Sequence, residues 1–310
     1  MEYNLTINLL IFIVSLTVLI KGSDWFVDAA ERLGLAFGIN SFILGVTVIA
    51  MGTSLPELAS SIAAVNSGDS EIVIGNVVGS NITNILLVLG IVAILGKVVP
   101  LEYNIMDVDM PLLIGSAIFI YFAIDDLIFS QFEALIFLAA LVGFMINSVK
   151  SNQFEEENKT KLRKLDFLLL ALGGVLVYLG SRYTVMGLQG LSNNLGIGSG
   201  VLAFTLLALG TSLPEVVVSV TAARKGKAGM AIGNVLGSNI FNSYAVMGIP
   251  GLFADLVIPA NTNTFAVPFM MAVTLLFALI CFSGRVNRYE GVVLILLYVF
   301  FIYKMSIQLV

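Results

Sequence analysis

The 310 residues contain no histidine. That removes the usual zinc ligand and the usual proton shuttle near neutral pH. A lone cysteine, Cys281, leaves no internal disulfide to form, and it sits in an apolar run where packing is its ordinary role. Charged residues make up only 11% of the chain, against roughly 25% in soluble domains. The net charge of −5 comes with no basic patch, so nothing points to a nucleic-acid partner. No nucleophile–base pair and no cofactor motif is visible, so neither an enzyme nor a resident cofactor is expected. No feature calls for an obligate protein partner.

Apolar residues are abundant: 58% of the chain is hydrophobic, with a mean hydropathy of +1.02. A soluble fold could not bury this much apolar surface, so the lipid bilayer is the expected solvent. The expected fold class is an all-α integral membrane protein with ten transmembrane helices. A crossing takes about 20 helical residues. Ten stretches qualify, near 5–33, 42–65, 72–96, 108–124, 131–149, 166–192, 199–222, 229–254, 264–282 and 289–307. The first and sixth are long and read as interrupted by Gly22 and Gly180. The stretch Leu5–Ile20 has no basic n-region before it and no A-x-A pattern after it, so it reads as a retained span and not a signal peptide. A hydrophilic segment divides the chain into residues 1–149, a linker over 150–165, and residues 166–310.

Shifting the sequence by 158 residues aligns Gly22–Ile91 with Gly180–Ile249 without a gap, giving 31 identities in 70 positions. The matches include the block Gly52-Thr53-Ser54-Leu55-Pro56-Glu57 against Gly210-Thr211-Ser212-Leu213-Pro214-Glu215. They also include Gly75-Asn76-Val77 against Gly233-Asn234-Val235, and Gly79-Ser80-Asn81-Ile82 against Gly237-Ser238-Asn239-Ile240. Apolar composition alone gives scattered matches, not polar blocks in register. The chain is a duplicated unit.

Five spans per copy is an odd number, so the second copy must enter the membrane from the opposite side, as an inverted repeat. Charge agrees. With the linker cytoplasmic, the inside loops hold 12 of the 15 basic residues. The loop Asn66–Glu71 is acidic, and its repeat partner Arg224–Gly229 is basic. Equivalent loops of opposite charge follow from inversion under the positive-inside rule. Both termini are then expected outside a cell membrane.

Glu57 and Glu215 fall near the middles of their spans. A charge there costs at least about 2.5–3.5 kcal/mol on insertion scales, so it is seldom present without a task. The bland alternative is a protonated or paired structural acid, for which Lys21 and Arg182 are the nearest bases. Pro56 and Pro214 remove a backbone donor before each acid. The carbonyls of Gly52 and Gly210 lose their usual partner, and those of Ala50 and Ala208 could turn toward a cavity. Thr53 and Thr211 lie four residues before the acids, on the same helix face, with Ser54 and Ser212 beside them. The second block adds Asn76, Ser80, Asn81 and Asn84, matched by Asn234, Ser238, Asn239 and Asn242. Some of these could simply bind helices together, with Gly75, Gly79, Gly233 and Gly237 as close-packing positions.

Calcium takes six to eight oxygens, carboxylates among them. Two glutamates, two threonine hydroxyls and two freed carbonyls would make such a shell, and two carboxylates neutralise one divalent ion. Hard oxygen without Cys or His suits calcium or sodium, not zinc or copper.

The paired G-T-S-L-P-E and G-N-V-x-G-S-N blocks resemble the alpha-repeats of the sodium/calcium exchanger family, within the cation/calcium antiporter superfamily. The resemblance covers both repeats and implies the five-plus-five layout of that family. It implies exchange of Ca²⁺ for Na⁺ by alternating access. On this likeness Glu57, Glu215, Thr53 and Thr211 correspond to a central calcium site, with the Ala50 and Ala208 carbonyls as backbone ligands. Ser54, Ser80, Ser212 and Ser238 correspond to flanking sodium sites, and Asn84 and Asn242 to the remaining polar positions. Potassium-dependent relatives resemble a pattern with aspartate where this chain has Asn242, so potassium independence is the expectation. The long first and sixth spans resemble the family's sliding gate pair. A proton/calcium antiporter is the second reading and a cation channel the third.

Overall fold

The computed structural model describes residues 4–96, 98–100, 109–150, 163–194, 210–260 and 262–308. Helix α1 spans Leu5–Phe37, α2 Ser41–Asn66 and α3 Glu71–Gly96. Strand β1 (Val98–Pro100) and helix α4 (Asp109–Ala123) follow, then β2 (Ile128–Phe129) and α5 (Gln131–Lys150). The second half holds α6 (Lys164–Asn194), α7 (Leu213–Arg224), α8 (228–251) and β3 (Leu256–Val257). It closes with α9 (Thr262–Phe282), β4 (Arg285–Asn287) and α10 (Arg288–Gln308). Seven of the described helices are long and apolar enough to cross a membrane: α1, α2, α3, α5, α6, α9 and α10. The chain is therefore a helical membrane protein, with two short strand pairs added. The expected span 199–222 is described only from residue 210.

Helices α1 and α6 form one antiparallel pair. Near one end Asn8 donates to Asn194 at 2.7 Å, and further along Thr184 donates to Ser15 at 3.0 Å. At the other end Arg32 meets Asp166 at 2.7 Å. Both helices run unbroken through Gly22 and Gly180, contrary to the interruption expected there. These glycines are contact points instead. A Cβ on Gly180 would lie 2.7 Å from the Leu19 backbone, and one on Gly22 would lie 3.0 Å from the Val177 nitrogen. Lipid tails are as apolar as leucine, so helices in a bilayer gain from close backbone approach, and small residues permit it.

The centre is built by α3 and α8. Every residue of α8 from Met230 to Phe241 is buried. The α2–α3 and α7–α8 turns are the same device: Gly68 (φ 86°) and Gly226 (φ 77°), 158 residues apart, supply the positive φ. The outer helices carry the exposed large apolar side chains, among them Val14, Leu279, Phe282, Leu296 and Val299. Such a belt suits lipid and not water.

The strand pairs join the two halves. Strand β1 pairs antiparallel with β4, and β2 with β3. The register Val98↔Asn287 becomes Leu256↔Phe129 under the 158-residue shift, with the partners exchanged between halves. The repeat relation thus extends beyond the stretch where sequence identity was legible.

Candidate ion-binding site

Both G-T-S-L-P-E blocks fold into a break in the helix. Ser54 sits at φ −88°, ψ 4° and Ser212 at φ −84°, ψ 5°, and a new helical segment starts at Leu55 or Leu213. Pro56 and Pro214 then fall in the first turn, where no intrahelical donor is required. Glu57 and Glu215 lie in that same first turn. The unpaired N–H groups of a helix start favour negative charge, so each break both permits and steadies its carboxylate. The Ala50 carbonyl is not freed: it accepts the Ser54 N–H at 3.0 Å and the Thr53 hydroxyl at 3.3 Å. Ala208 lies outside the described residues.

The facing helices present the second block. Asn84 and Asn242 each open a π-turn, over Asn84–Val88 and Asn242–Val246. A π-turn inserts one residue per turn and re-aims the side chains there; such turns recur at functional sites. Helix α8 packs hard against α2: a Cβ on Gly233 would lie 3.0 Å from the Val46 nitrogen, and one on Gly237 2.6 Å from Val46 Cα. That close approach brings Thr53 to Asn234 and Ser238. The counterparts that Gly75 and Gly79 would face lie outside the described residues.

Two contacts repeat across the halves. The Thr53 and Ser238 hydroxyls meet at 3.3 Å, and the equivalent Thr211 and Ser80 hydroxyls also meet at 3.3 Å. Asn76 donates to Ser61 at 2.9 Å, and Asn234 donates to Ser219 at 2.9 Å. Asn76 also donates to the Glu57 carbonyl at 3.0 Å, which braces the break. One contact does not repeat. Ser54 donates to Glu215 Oε1 at 3.1 Å, while Ser212 Oγ and both Glu57 carboxylate oxygens have no protein partner among the described residues.

Glu57, Glu215, Ser54, Ser212, Ser238, Asn84 and Asn242 are fully or almost fully buried, as are Thr53 and Ser80; Thr211 is half-buried. Among the described residues, buried oxygens without a protein partner include both of Glu57, Glu215 Oε2, Ser212 Oγ and the amide oxygens of Asn81, Asn84, Asn239 and Asn242; the amide nitrogens of Asn84 and Asn242 are unpartnered as well. A buried polar group without a partner costs about 1–3 kcal/mol, and more when charged. A cation among the oxygens would offset that cost. No ion pair reaches Glu57 or Glu215 among the described residues, so Lys21 and Arg182 do not neutralise them. Nor is there a group of three or more acids or soft ligands among the described residues. The charge is limited to two carboxylates, and neutral oxygen supplies the rest.

Asn76, Asn234, Asn81 and Asn239 have no task that is legible in the sequence alone. Asn76 and Asn234 brace the two breaks, through Ser61 and Ser219. That serine pair was already a match in the repeat, which was the available signal. Asn81 donates to Ser243 at 3.0 Å, and Ser243 has no polar counterpart in the first half, where Ile85 stands.

Fold and site together define an integral membrane protein that holds two buried carboxylates among neutral oxygens. A family model described as sodium/calcium exchanger protein matches residues 7–150 and 165–306. The chain belongs to the sodium/calcium exchanger family. It is 34% identical to sodium/calcium exchanger MaX1 of Methanosarcina acetivorans, with 96% of this chain and 98% of that protein covered. It is 36% identical to an uncharacterized membrane protein of Methanocaldococcus jannaschii, over 93% of this chain and 94% of that protein. A structure of the sodium-calcium exchanger NCX_Mj, soaked with zero Na⁺ and Ca²⁺, superimposes with a TM-score of 0.86 at 31% identity, covering 97% of this chain and 99% of that one.

Proposed function

We propose that this protein is a secondary antiporter that exchanges Ca²⁺ for Na⁺ by alternating access, electrogenically and without potassium. The observation that carries the reading is the cluster of unpartnered buried oxygens around two carboxylates from equivalent helix breaks. The similarity to sodium/calcium exchangers selects sodium as the counter-ion. In this reading Glu57, Glu215, Thr53 and Thr211 hold calcium with the Ala208 carbonyl, and the Ala50 carbonyl joins them only by giving up one of its bonds from Ser54 and Thr53. Ser54, Ser80, Ser212 and Ser238 share the glutamates with sodium, and Asn84 and Asn242 complete the polar lining. The two ions compete for the same oxygens and cross in separate half-cycles. Only a loaded site is neutral enough to face the apolar slab.

Residues 1–149 and 166–310 form two inverted five-span units, joined by a cytoplasmic linker over 150–165. The α1–α6 pair supports this, since the first helices of the two units run antiparallel. The strand pairs support it too. In a ten-span chain the loops holding β1 and β4 share one face, and those holding β2 and β3 share the other. Basic residues gather on the β1–β4 face, which makes that face cytoplasmic and puts both termini outside.

The test uses sodium-loaded proteoliposomes diluted into radioactive calcium at clamped pH, with and without external sodium or potassium. Sodium-gradient-driven uptake that generates a membrane potential and ignores potassium is expected. Uptake indifferent to the sodium gradient would exclude the counter-ion, and uptake driven by a pH gradient would substitute protons.

A further inference from the structure

Along α1 and α6 the two copies of the repeat differ at several charged positions, and at one of them the sign is reversed. Gly22-Ser23-Asp24 on α1 corresponds to Gly180-Ser181-Arg182 on α6. The two flanks of the site differ as well. On the α1 side, Asp24 and Asp28 hold Lys225 at 3.2 and 2.8 Å, and Glu31 holds Lys227 at 2.6 Å. These ion pairs tie the end of α1 to the α7–α8 turn; Thr53 is buried, and the cavity of about 650 Å³ that borders the Gly52 break beside Phe26 of α1 is lined almost wholly by apolar residues. On the α6 side lies an open cavity of about 540 Å³, lined by Arg182, Ser181, Gln189, Ser60, Gly210 and Thr211. Ser181 donates to the Gly210 carbonyl at 3.4 Å, so α6 touches the chain beside the break. Thr211 is half-buried, lines this cavity and meets Ser80 of the site at 3.3 Å. Pro56, Ala59 and Ala63 line it too, on the segment that leads to the α2–α3 turn, so we infer that the cavity is the approach to the site from that side. Arg182 is exposed within it and makes no ion pair among the described residues.

We propose that Arg182 is a one-sided electrostatic screen that sets the apparent cation affinity at the α6 face without touching the bound ion. The proposal rests on the cation-exchange reading above. A fixed positive charge in a cleft with low-dielectric walls lowers the local cation concentration, because the walls focus its field. The reduction is exponential in the ion's charge. Whatever factor it imposes on Na⁺, it imposes the square of that factor on Ca²⁺. Calcium reaching this face is thus released more readily and rebound less readily than at the α1 face, where the acids are offset by lysines.

The test measures half-saturating Ca²⁺ and Na⁺ on each face of sealed vesicles of known sidedness, for the wild type and for R182K, R182Q and R182E. Calcium–calcium exchange is measured alongside, since it needs no sodium. Relative to wild type, R182Q should lower half-saturating Ca²⁺ at the α6 face by about three- to tenfold. The Na⁺ value should fall by the square root of that factor, and R182E should go further in the same direction. R182K should retain wild-type values, the opposite face should not change, and added inert salt should shrink the differences as the charge is screened. Equal shifts at both faces, an R182K that behaves like R182Q, or equal factors for Na⁺ and Ca²⁺ would each overturn the screen. Wild-type calcium–calcium exchange without sodium dependence would remove the counter-ion only and leave the Ca²⁺ comparison decisive. Absence of calcium–calcium exchange in the wild type would overturn both readings.

Discussion

Ser54 of the first repeat donates to the Glu215 carboxylate of the second at 3.1 Å, and the symmetry-related bond from Ser212 to Glu57 is not made. The two acids are equivalent by sequence and unequal in structure. The Ser54 hydroxyl comes within 3.1 Å of Glu215, and no hydrogen bond reaches the Glu57 carboxylate among the described residues. Glu57 is the carboxylate with most to gain from a bound cation.

That inequality separates the two amide variants. E57Q removes a buried charge without a partner, so the ion-free protein should become more stable by about 1–3 kcal/mol. The same change removes half the formal charge of the site. Calcium transport should fall by at least about tenfold, because ligand charge count tunes calcium affinity. Thermal unfolding in chelator and vesicle uptake are the two measurements. A loss of ion-free stability in E57Q would refute the assignment of an uncompensated charge.

The single serine donor gives a second contrast. S54A strips Glu215 of a charge-assisted bond worth about 1.5–3 kcal/mol. S212A removes a hydroxyl with no described partner and should cost less than about 0.5 kcal/mol. Denaturation of both variants in ion-free micelles tests the difference. Equal losses would mean that the two repeats are alike in solution.

Calcium should stabilise the fold by mass action. At 100 times its dissociation constant a ligand that binds only the folded state adds about 2.7 kcal/mol. A rise in unfolding temperature on adding calcium is expected in the wild type and should be largely lost in E57Q. An equal rise in both would move the calcium site elsewhere.

Close helix approach yields a steric prediction. In G180V the new side chain meets the Leu19 backbone, where even a Cβ would lie 2.7 Å away. Backbone cannot yield as a side-chain tip can, so the α1–α6 pair should separate and the folded yield should drop. In G226A the left-handed φ of 77° is strained while the space around it is open, so a cost of only about 1 kcal/mol is expected. Fluorescence-detected size exclusion of the two variants distinguishes them.

Strand register gives a test of topology. Val99 faces Val286, and Ile128 faces Val257. Facing residues in an antiparallel pair fall within disulfide range. V99C/V286C and I128C/V257C should each cross-link on mild oxidation. A membrane-impermeant reductant should open only the second from outside intact cells. Opening of both from one face would refute the ten-span arrangement.

Sequence alone carries the duplication and the membrane setting, and it marks the polar residues that the fold gathers around two buried acids. Glycine, proline, hydroxyl and acid recur in register 158 residues apart, and polar residues inside apolar runs are too costly to be incidental. The positive φ of Gly68 and Gly226 came only with the structure, although the two glycines match in the repeat. Tertiary structure decided what depends on which backbone meets which. Gly22 and Gly180 read as interruptions in one dimension and proved to be contact points, because only the neighbouring helix shows what a Cβ would strike. The π-turns at Asn84 and Asn242 leave no mark in composition, because one inserted residue shifts hydrogen bonds and not hydropathy. The inequality of Glu57 and Glu215 was also invisible in the sequence, since their motifs are identical. It lies in one contact between the halves, the Ser54 hydroxyl on the Glu215 carboxylate, and only the packing of one break against the other decides whether such a contact forms.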